Sequence, residues 1–514
     1  MPRRHILTLL APAWGHTLPY IHLTTRMLAQ DPELVITIVQ HNLILPKMLK
    51  ELDGCTYDQS RLKIESVGDK EIKFSPALVE VAIKDLAGRW LEILAKAVGA
   101  GPTDAAESAW PRPYTVHLDF FGGGFVAAPT RALLGPESKL VLWCSGGVNA
   151  LPDHLSDYNF AEIAREIYAD ESRRAGRSME DILGDVVSAW NGSDKLDGRT
   201  IKIVGSLDIY DHEHIARGAG GPRDLAPVLS AAQGLAQVAD AIMCPASSAM
   251  EPIATQFSRE YYKKRNQELF LVGPQMHDRD WKTRSAGPGP SEERIKTFLE
   301  NARKQFGPGS VLYISFGSLF FPLATPHLVE VMVDVLLTLK TPLPFVFVLA
   351  GAMASLPQEI IDRIHASGRG LVCDFWVDQK AILECGTVGW FLTHGGYNSL
   401  TESLSQGIPL IFWPVGAEQA VNAAMLSTGP LPIGIELFQI RAGEQLGPSL
   451  RSDAPSKITG TVEDARIEFE QTFGALKGAR GERLRQNAVH IADLWRKERM
   501  DGEPARDIAK LIEF

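Results

Sequence analysis

The sequence predicts an α/β protein made of two doubly wound domains, each a parallel sheet covered by helices on both faces. Three observations carry that expectation. The chain is 514 residues long, beyond the size at which a single hydrophobic core stops growing. Short β-branched runs alternate with helix-length segments in both halves, which is the pattern of a parallel sheet buried on both sides. Between the halves the alternation stops at a stretch rich in Pro and Gly and then restarts.

In chain order, residues 6–11 and 35–39 read as strands, with helical spacing over 20–29 between them. The runs 115–118, 139–143 and 241–244 repeat the short apolar pattern. After 269–273 the chain enters 274–290, which carries Gly-Pro-Gly-Pro and several charges, and neither period persists there. Strand-like runs resume at 311–316, 345–349, 370–375, 389–393 and 410–413. The irregular stretch 439–460 reads as a surface loop, and helical spacing returns through 488–495 and 508–512. The expected boundaries are therefore 1–273 for the first domain, 274–292 for a linker and 293–495 for the second. In doubly wound sheets ligands bind beyond the carboxyl ends of the strands. The residues that follow each strand are the ones to search.

Composition removes several classes of function. Formal charge is −10 and the pI is near 5.8, so no basic stripe is available to neutralise nucleic-acid phosphates. The five cysteines, Cys55, Cys144, Cys244, Cys373 and Cys385, are odd in number and lack CxxC spacing. Free thiols in a reducing, cytoplasmic setting are the expectation. Residues 6–13 follow Arg3 and Arg4 but run into Trp14-Gly15-His16 without a small-residue cleavage pattern, so a first strand fits better than a signal peptide. No run approaches the roughly 20 apolar residues that span a bilayer. Asn191-Gly192-Ser193 is a formal glycosylation sequon that matters only in a secreted chain.

The most informative segment follows residues 389–393. His394-Gly395-Gly396 leads into a helix expected from about Tyr397, with Asn398, Ser399 and Thr401 at its start and Glu402 in its first turns. A Gly-rich strand-to-helix turn exposes backbone N–H groups and the positive end of the helix dipole, which suits a diphosphate. An ordinary capped turn explains His-Gly-Gly alone equally well. The neighbours decide between them. From Trp376 to Gln419 the chain resembles the 44-residue donor-binding box of the UDP-dependent glycosyltransferases, the GT-B family that includes the plant secondary-metabolite enzymes. Trp376, Gln379, His394, Gly396, Asn398, Ser399, Glu402, Pro414, Glu418 and Gln419 stand at the spacings of that box without a gap.

The resemblance implies a GT-B fold, two Rossmann-like domains facing across a cleft, with 496–514 returning to the first. It also implies roles. Trp376 stacks on uracil with Val377 beside it, and Gln379 and Glu402 bind the ribose. His394, Gly396, Asn398 and Ser399 hold the diphosphate, which Ser318 reaches from the end of the run at 313–318, and Tyr397 stands among the donor-binding residues. Glu418 and Gln419 bond the sugar, and a final Gln rather than His implies glucose rather than galactose. Tyr397 replaces the family's usual Trp and Glu418 its usual Asp, which loosens the identity of the hexose but not of the nucleotide.

A neutral alcohol is a poor nucleophile and needs a base. His16 lies in the turn Trp14-Gly15-His16, ahead of a helix expected to begin near Leu18-Pro19. Taken alone, a histidine there is more often a structural cap than a base. The resemblance places the family's catalytic base in this turn and its supporting aspartate at Asp119, where the run 115–118 ends. It also puts a Ser or Thr near the sugar at Ser145, with Cys144 as the alternative. Trp14, Phe120, Phe121 and Trp143 stand beside strand ends, with Phe125 near them, and are the candidates for an apolar acceptor pocket. Taken singly, aromatic side chains there are more often core than pocket lining.

The expected enzyme is an inverting hexosyltransferase acting by a single in-line displacement. It moves glucose from UDP-glucose to a hydroxyl of a small apolar or phenolic molecule, as a monomer or weak dimer, with no metal and no cofactor. Asp278-Arg279-Asp280 has the form of a metal-binding DxD motif but falls in the linker, where a solvated charge cluster accounts for it. Asp211-His212-Glu213-His214 is rich in potential ligands, yet residues two apart do not share a helix face, and a surface turn is expected. The glycines at 122–124 and 218–221 do not match GxGxxG. Rival readings are a UDP-sugar epimerase of similar architecture, a non-catalytic UDP-sugar-binding subunit, which would lack the base, and a sterol or lipid glucosyltransferase.

Overall fold

The computed structural model describes residues 4–99, 110–151, 159–190, 198–204, 208–214, 223, 225–277, 281, 289–349, 351, 353–429, 431–451 and 454–514. Contacts divide the chain into two compact units. The first comprises Met1–Asn191, Pro222–His277 and Trp495–Phe514, and the second comprises Gly192–Gly221 and Asp278–Leu494.

Strands of the first half are β1 (Arg4–Leu9), β2 (Leu34–His41), β3 (Leu62–Val67), β4 (Thr115–Asp119) and β5 (Lys139–Trp143). A short antiparallel pair, β6 (Thr200–Ile201) and β7 (Ile209–Tyr210), precedes β8 (Ala241–Cys244) and β9 (Glu268–Leu271). The first unit's sheet runs in the order β3-β2-β1-β4-β5-β8-β9 with every pairing parallel. All eight residues of β2 are buried, which is why its run LVITIVQH is continuous rather than alternating. The C-terminal helix Glu503–Glu513 belongs to this unit, where Ile508, Leu511 and Ile512 enter the same core as Trp143 and Phe270.

Strands of the second unit are β10 (Val311–Ser315), β11 (Phe345–Val348), β12 (Gly370–Cys373), β13 (Val388–Thr393), β14 (Leu410–Phe412) and β15 (Gly434–Glu436). A minor antiparallel pair, β16 (Gly447–Pro448) and β17 (Lys457–Ile458), follows. The main sheet has the order β12-β11-β10-β13-β14-β15, again all parallel. Each sheet reverses its winding once, between β1 and β4 in the first and between β10 and β13 in the second. Connections leave opposite faces at such a point and open a crevice beyond the strand ends.

Four expectations need correction. The linker does not begin at residue 274, because Gln275 and Met276 are buried in the first unit and Gln275 bonds back to the carbonyls of Val272 and Gly273. The segment 192–221 does not group with the first domain, because Ile203 and Ile209 pack against Val421 and Ala424 of the second unit. Asp211–His214 is a helical turn in which Asp211, His212 and Glu213 are buried, rather than a surface turn. His212 Nε2 lies 2.8 Å from the carbonyl of Pro448, and Glu213 accepts from Ser449 Oγ at 2.6 Å and from the Tyr210 amide at 3.1 Å. The stretch 439–460 is likewise less superficial than expected. Arg441 and Arg451 are buried there and both pair with Glu436, so burial of each charge is compensated.

Candidate active site

Helix α1 (Trp14–Gln30) begins earlier than the sequence spacing suggests, so His16 occupies its first turn. Polar side chains shape the approach. Thr17 Oγ1 donates to the carbonyl of Ala13 at 3.0 Å, and the Gln40 amide donates to Thr17 Oγ1 at 3.0 Å and to the carbonyl of Ala11 at 3.2 Å. Asp119 closes β4 and caps the short helix Phe120–Gly123, accepting the Phe121 N–H at 2.9 Å. Because α1 and β4 flank the winding reversal, the two side chains meet. His16 Nδ1 lies 2.9 and 3.1 Å from the carboxylate oxygens of Asp119.

Asp119 is 0% exposed, whereas the His16 side chain keeps 17% of its surface open. A buried carboxylate is sustained by the donors it accepts. With Nδ1–H directed at Asp119, the imidazole presents a lone pair at Nε2. Phe120 stacks on the His16 ring at 5.3 Å and Phe121 lies at the same distance, tilted by 46°. Both phenyl rings are half-buried, as is Trp14, over which the Lys47 ammonium sits at 4.2 Å.

Trp143 is not available to an acceptor. It is fully buried in the core of the first unit, and its indole N–H donates to the carbonyl of His16 at 3.2 Å. Just beyond β5, Cys144 is buried and its amide bonds the Met243 carbonyl, while Ser145 is the half-buried member of the pair.

In the second unit β13 ends at Thr393, and His394-Gly395-Gly396 turns into the helix Tyr397–Ser405. Gly395 has φ +91°, a conformation that favours glycine. Gly396 is the helix N-cap and supplies no side chain. A Cβ at Gly396 would stand 2.5 Å from His394 Nε2, and one at Gly317 would stand 2.8 Å from His394 Cε1. The two glycines thus leave the space that the imidazole fills. Phe320, which the sequence did not single out, stacks on that ring at 5.7 Å. Burial pushes the His394 pKa down to about 4, so the ring is neutral at neutral pH. Ser399 and Tyr397 are buried and Asn398 half-buried in the first turn of the helix, and Ser318 is half-buried after β10.

Trp376, beyond β12, is 53% exposed and Val377 behind it is buried. Gln379 links two elements: its Oε1 accepts from Tyr313 OH at 3.1 Å, and its Nε2 donates to Glu402 Oε2 at 2.6 Å. Glu402 is thereby oriented while its carboxylate retains further acceptor sites. Glu418 is half-buried. Gln419 is the more enclosed of the two. It is buried, and its Oε1 accepts the amides of Val415 at 2.8 Å and Gly416 at 2.9 Å, so only its NH2 remains to meet a ligand. Asp278-Arg279-Asp280, the glycines at 218–221 and Asn191-Gly192-Ser193 lie outside the described residues. Among the described residues no helix is long and apolar enough to cross a membrane.

Comparison with known proteins identifies relatives of the chain. The family described as UDP-glucoronosyl and UDP-glucosyl transferase matches residues 293–436, the stretch that holds the His394 turn and the Gln379–Glu402 pair. The chain is 31% identical to the UDP-glycosyltransferase eriJ of Hericium erinaceus, over 99% of this chain and 98% of that one. Its fold is similar to Phytolacca americana UGT2 complexed with UDP-2fluoro-glucose and pterostilbene, with a TM-score of 0.67, 18% identity and 99% of both chains covered. It is also similar to Medicago truncatula UGT71G1 complexed with UDP-glucose, with a TM-score of 0.68, 16% identity and 99% and 98% covered. The architecture is GT-B.

Proposed function

The chain belongs to the UDP-glycosyltransferase family, and from that premise we propose that it moves glucose from UDP-glucose to a hydroxyl of a small apolar or phenolic molecule. His16 acts as the base and Asp119 supports it. The observation that carries the reading is the 2.9 Å contact between a partly open imidazole and a fully buried carboxylate at the winding reversal of the first sheet. That pairing directs the Nε2 lone pair outward and stabilises the imidazolium that forms on proton transfer.

In this reading Nε2 takes the proton of the acceptor hydroxyl as its oxygen attacks the anomeric carbon. The bond from that carbon to the diphosphate oxygen breaks, the anomeric configuration inverts and UDP departs. Negative charge growing on the diphosphate meets the N-terminus of the helix Tyr397–Ser405, the Ser399 and Ser318 hydroxyls and the neutral His394 ring. Donors of that kind make the reaction independent of a divalent ion. Trp376 offers its open indole to uracil, and the Gln379–Glu402 pair receives the ribose. Similar folds have been solved with UDP-glucose and with UDP-2fluoro-glucose and pterostilbene, which supports a glucosyl donor and a phenolic acceptor. The half-buried Phe120 and Phe121 beside His16 suit such an acceptor. Five free cysteines fit a cytoplasmic setting.

The test is a mass-spectrometric screen of several UDP-sugars against phenolic and terpenoid alcohols, with and without EDTA. The expected outcome is a hexose mass gain from UDP-glucose that survives EDTA and is lost in His16→Ala. Conversion of UDP-glucose to its epimer without an acceptor would replace the transferase reading with that of an epimerase.

A further inference from the structure

Beneath the His16–Asp119 contact the same two elements meet a second time. Tyr20 follows His16 by four residues on α1, and His117 precedes Asp119 by two on β4. Four helical residues rise about 6 Å and two strand residues about 6.6 Å, so the two pairs form successive rungs between one helix face and one strand face. The lower rung is closed: Tyr20 OH lies 2.6 Å from His117 Nδ1 and 2.6 Å from Thr8 Oγ1. Thr8 is the sheet partner of His117, so the phenol bridges α1 to β1 and β4 together. All three side chains are fully buried.

We propose that Tyr20 and His117 are positioning residues that set the register of α1 against β4 and so hold His16 on Asp119; the proposal rests on the reading of His16 as the base. Two observations favour this over simple packing. His117 Nε2 has no hydrogen-bond partner, so the ring is kept in an apolar core although one of its nitrogens is unsatisfied. An aliphatic side chain would fill that volume without the orphan, and what it would lose is the bond to Tyr20. The Tyr20 ring also packs edge-on against Trp143 at 5.4 Å, and the Trp143 indole holds the carbonyl of His16. A neutral ring is what such a bond requires, and burial pushes the His117 pKa down to about 3.

The test compares Tyr20→Phe with the wild type in two readouts: steady-state kinetics with UDP-glucose, and the proton NMR resonance of His16 Nδ1–H bonded to Asp119. The expected result is a fall in kcat of about tenfold, KM for UDP-glucose within twofold, and loss or broadening of that resonance. His117→Asn, whose amide oxygen can stand near the Nδ1 position, should retain both, whereas His117→Leu should lose both. This second pair decides the matter if Tyr20→Phe does not fold. An unchanged kcat and resonance in Tyr20→Phe and His117→Leu would overturn the proposal, as would lost activity with the resonance intact. Full activity in His16→Ala would instead remove the base reading, leaving the resonance to report on the register alone.

Discussion

Each unit carries a histidine between a strand and a helix at its sheet's winding reversal, and the two are set in different surroundings. His16 stands in the first turn of a helix, partly open, with its Nδ1 on a buried carboxylate. His394 stands before its helix, buried between Gly317, Gly396 and Phe320, with its pKa pushed down to about 4. The first ring has a carboxylate partner at Nδ1, and burial keeps the second from accepting a proton at neutral pH. One local architecture therefore holds an imidazole against a carboxylate in one unit and against glycine and phenyl surfaces in the other. The difference lies in what packs around the ring.

Kinetics of single variants test that contrast most sharply. His16→Ala should lower kcat by about 10²–10⁴-fold, the range for loss of a general base, with UDP affinity unchanged within about twofold. A parallel loss of UDP affinity, measured by calorimetry, would erase the distinction between the two rings.

Acid should act on stability through buried imidazoles. Burial lowers His394 and His5 to about 4 and His117 to about 3, whereas an unfolded imidazole titrates near 6.5. As pH falls below 6.5 the unfolded chain binds protons that the folded chain refuses. The stability these groups contribute is complete above that value and is lost as pH falls from 6.5 toward 4. By pH 5 the loss amounts to about 2 kcal/mol for each group. Urea unfolding at pH 7 and pH 5 checks this, and a midpoint that does not move would refute it.

The smallest effects belong to the donor side. Trp376→Ala should raise KM for UDP-glucose by about fivefold to tenfold, the worth of one stacked ring. Gly396→Ala forces a carbon to within 2.5 Å of His394 Nε2 and should weaken UDP binding by a similar factor, about tenfold, while the His16–Asp119 contact stays intact. Isothermal titration with UDP distinguishes this from a fall in kcat.

The doubly wound pattern was legible because buried parallel strands are continuous apolar runs, as in β2. β3 escaped notice because LKIESV lies at the sheet edge, mixes charges into the run and is mostly half-exposed. The donor turn was legible from local spacing, since its residues are close in sequence. Long-range partners were not. Asp211–His214 looked solvated because the groups that satisfy it, Pro448 and Ser449, lie more than 230 residues away. Trp143 looked like pocket lining because a strand end does not reveal which face a ring takes. For Gln419, the identity of the residue could not show that its own loop captures the carbonyl oxygen.

The placement of residues 198–214 bears on how such enzymes can be recombined. This stretch sits in the first half of the chain, yet Glu213 faces Arg441 at 3.7 Å and His212 meets Pro448. A chimera spliced near residue 273 would import a foreign version of the stretch and strand Arg441 beside whatever arrived. Grafting the first unit from a relative therefore calls for four cuts, near residues 191, 221, 277 and 494, so that this internal strap travels with the half it fastens to.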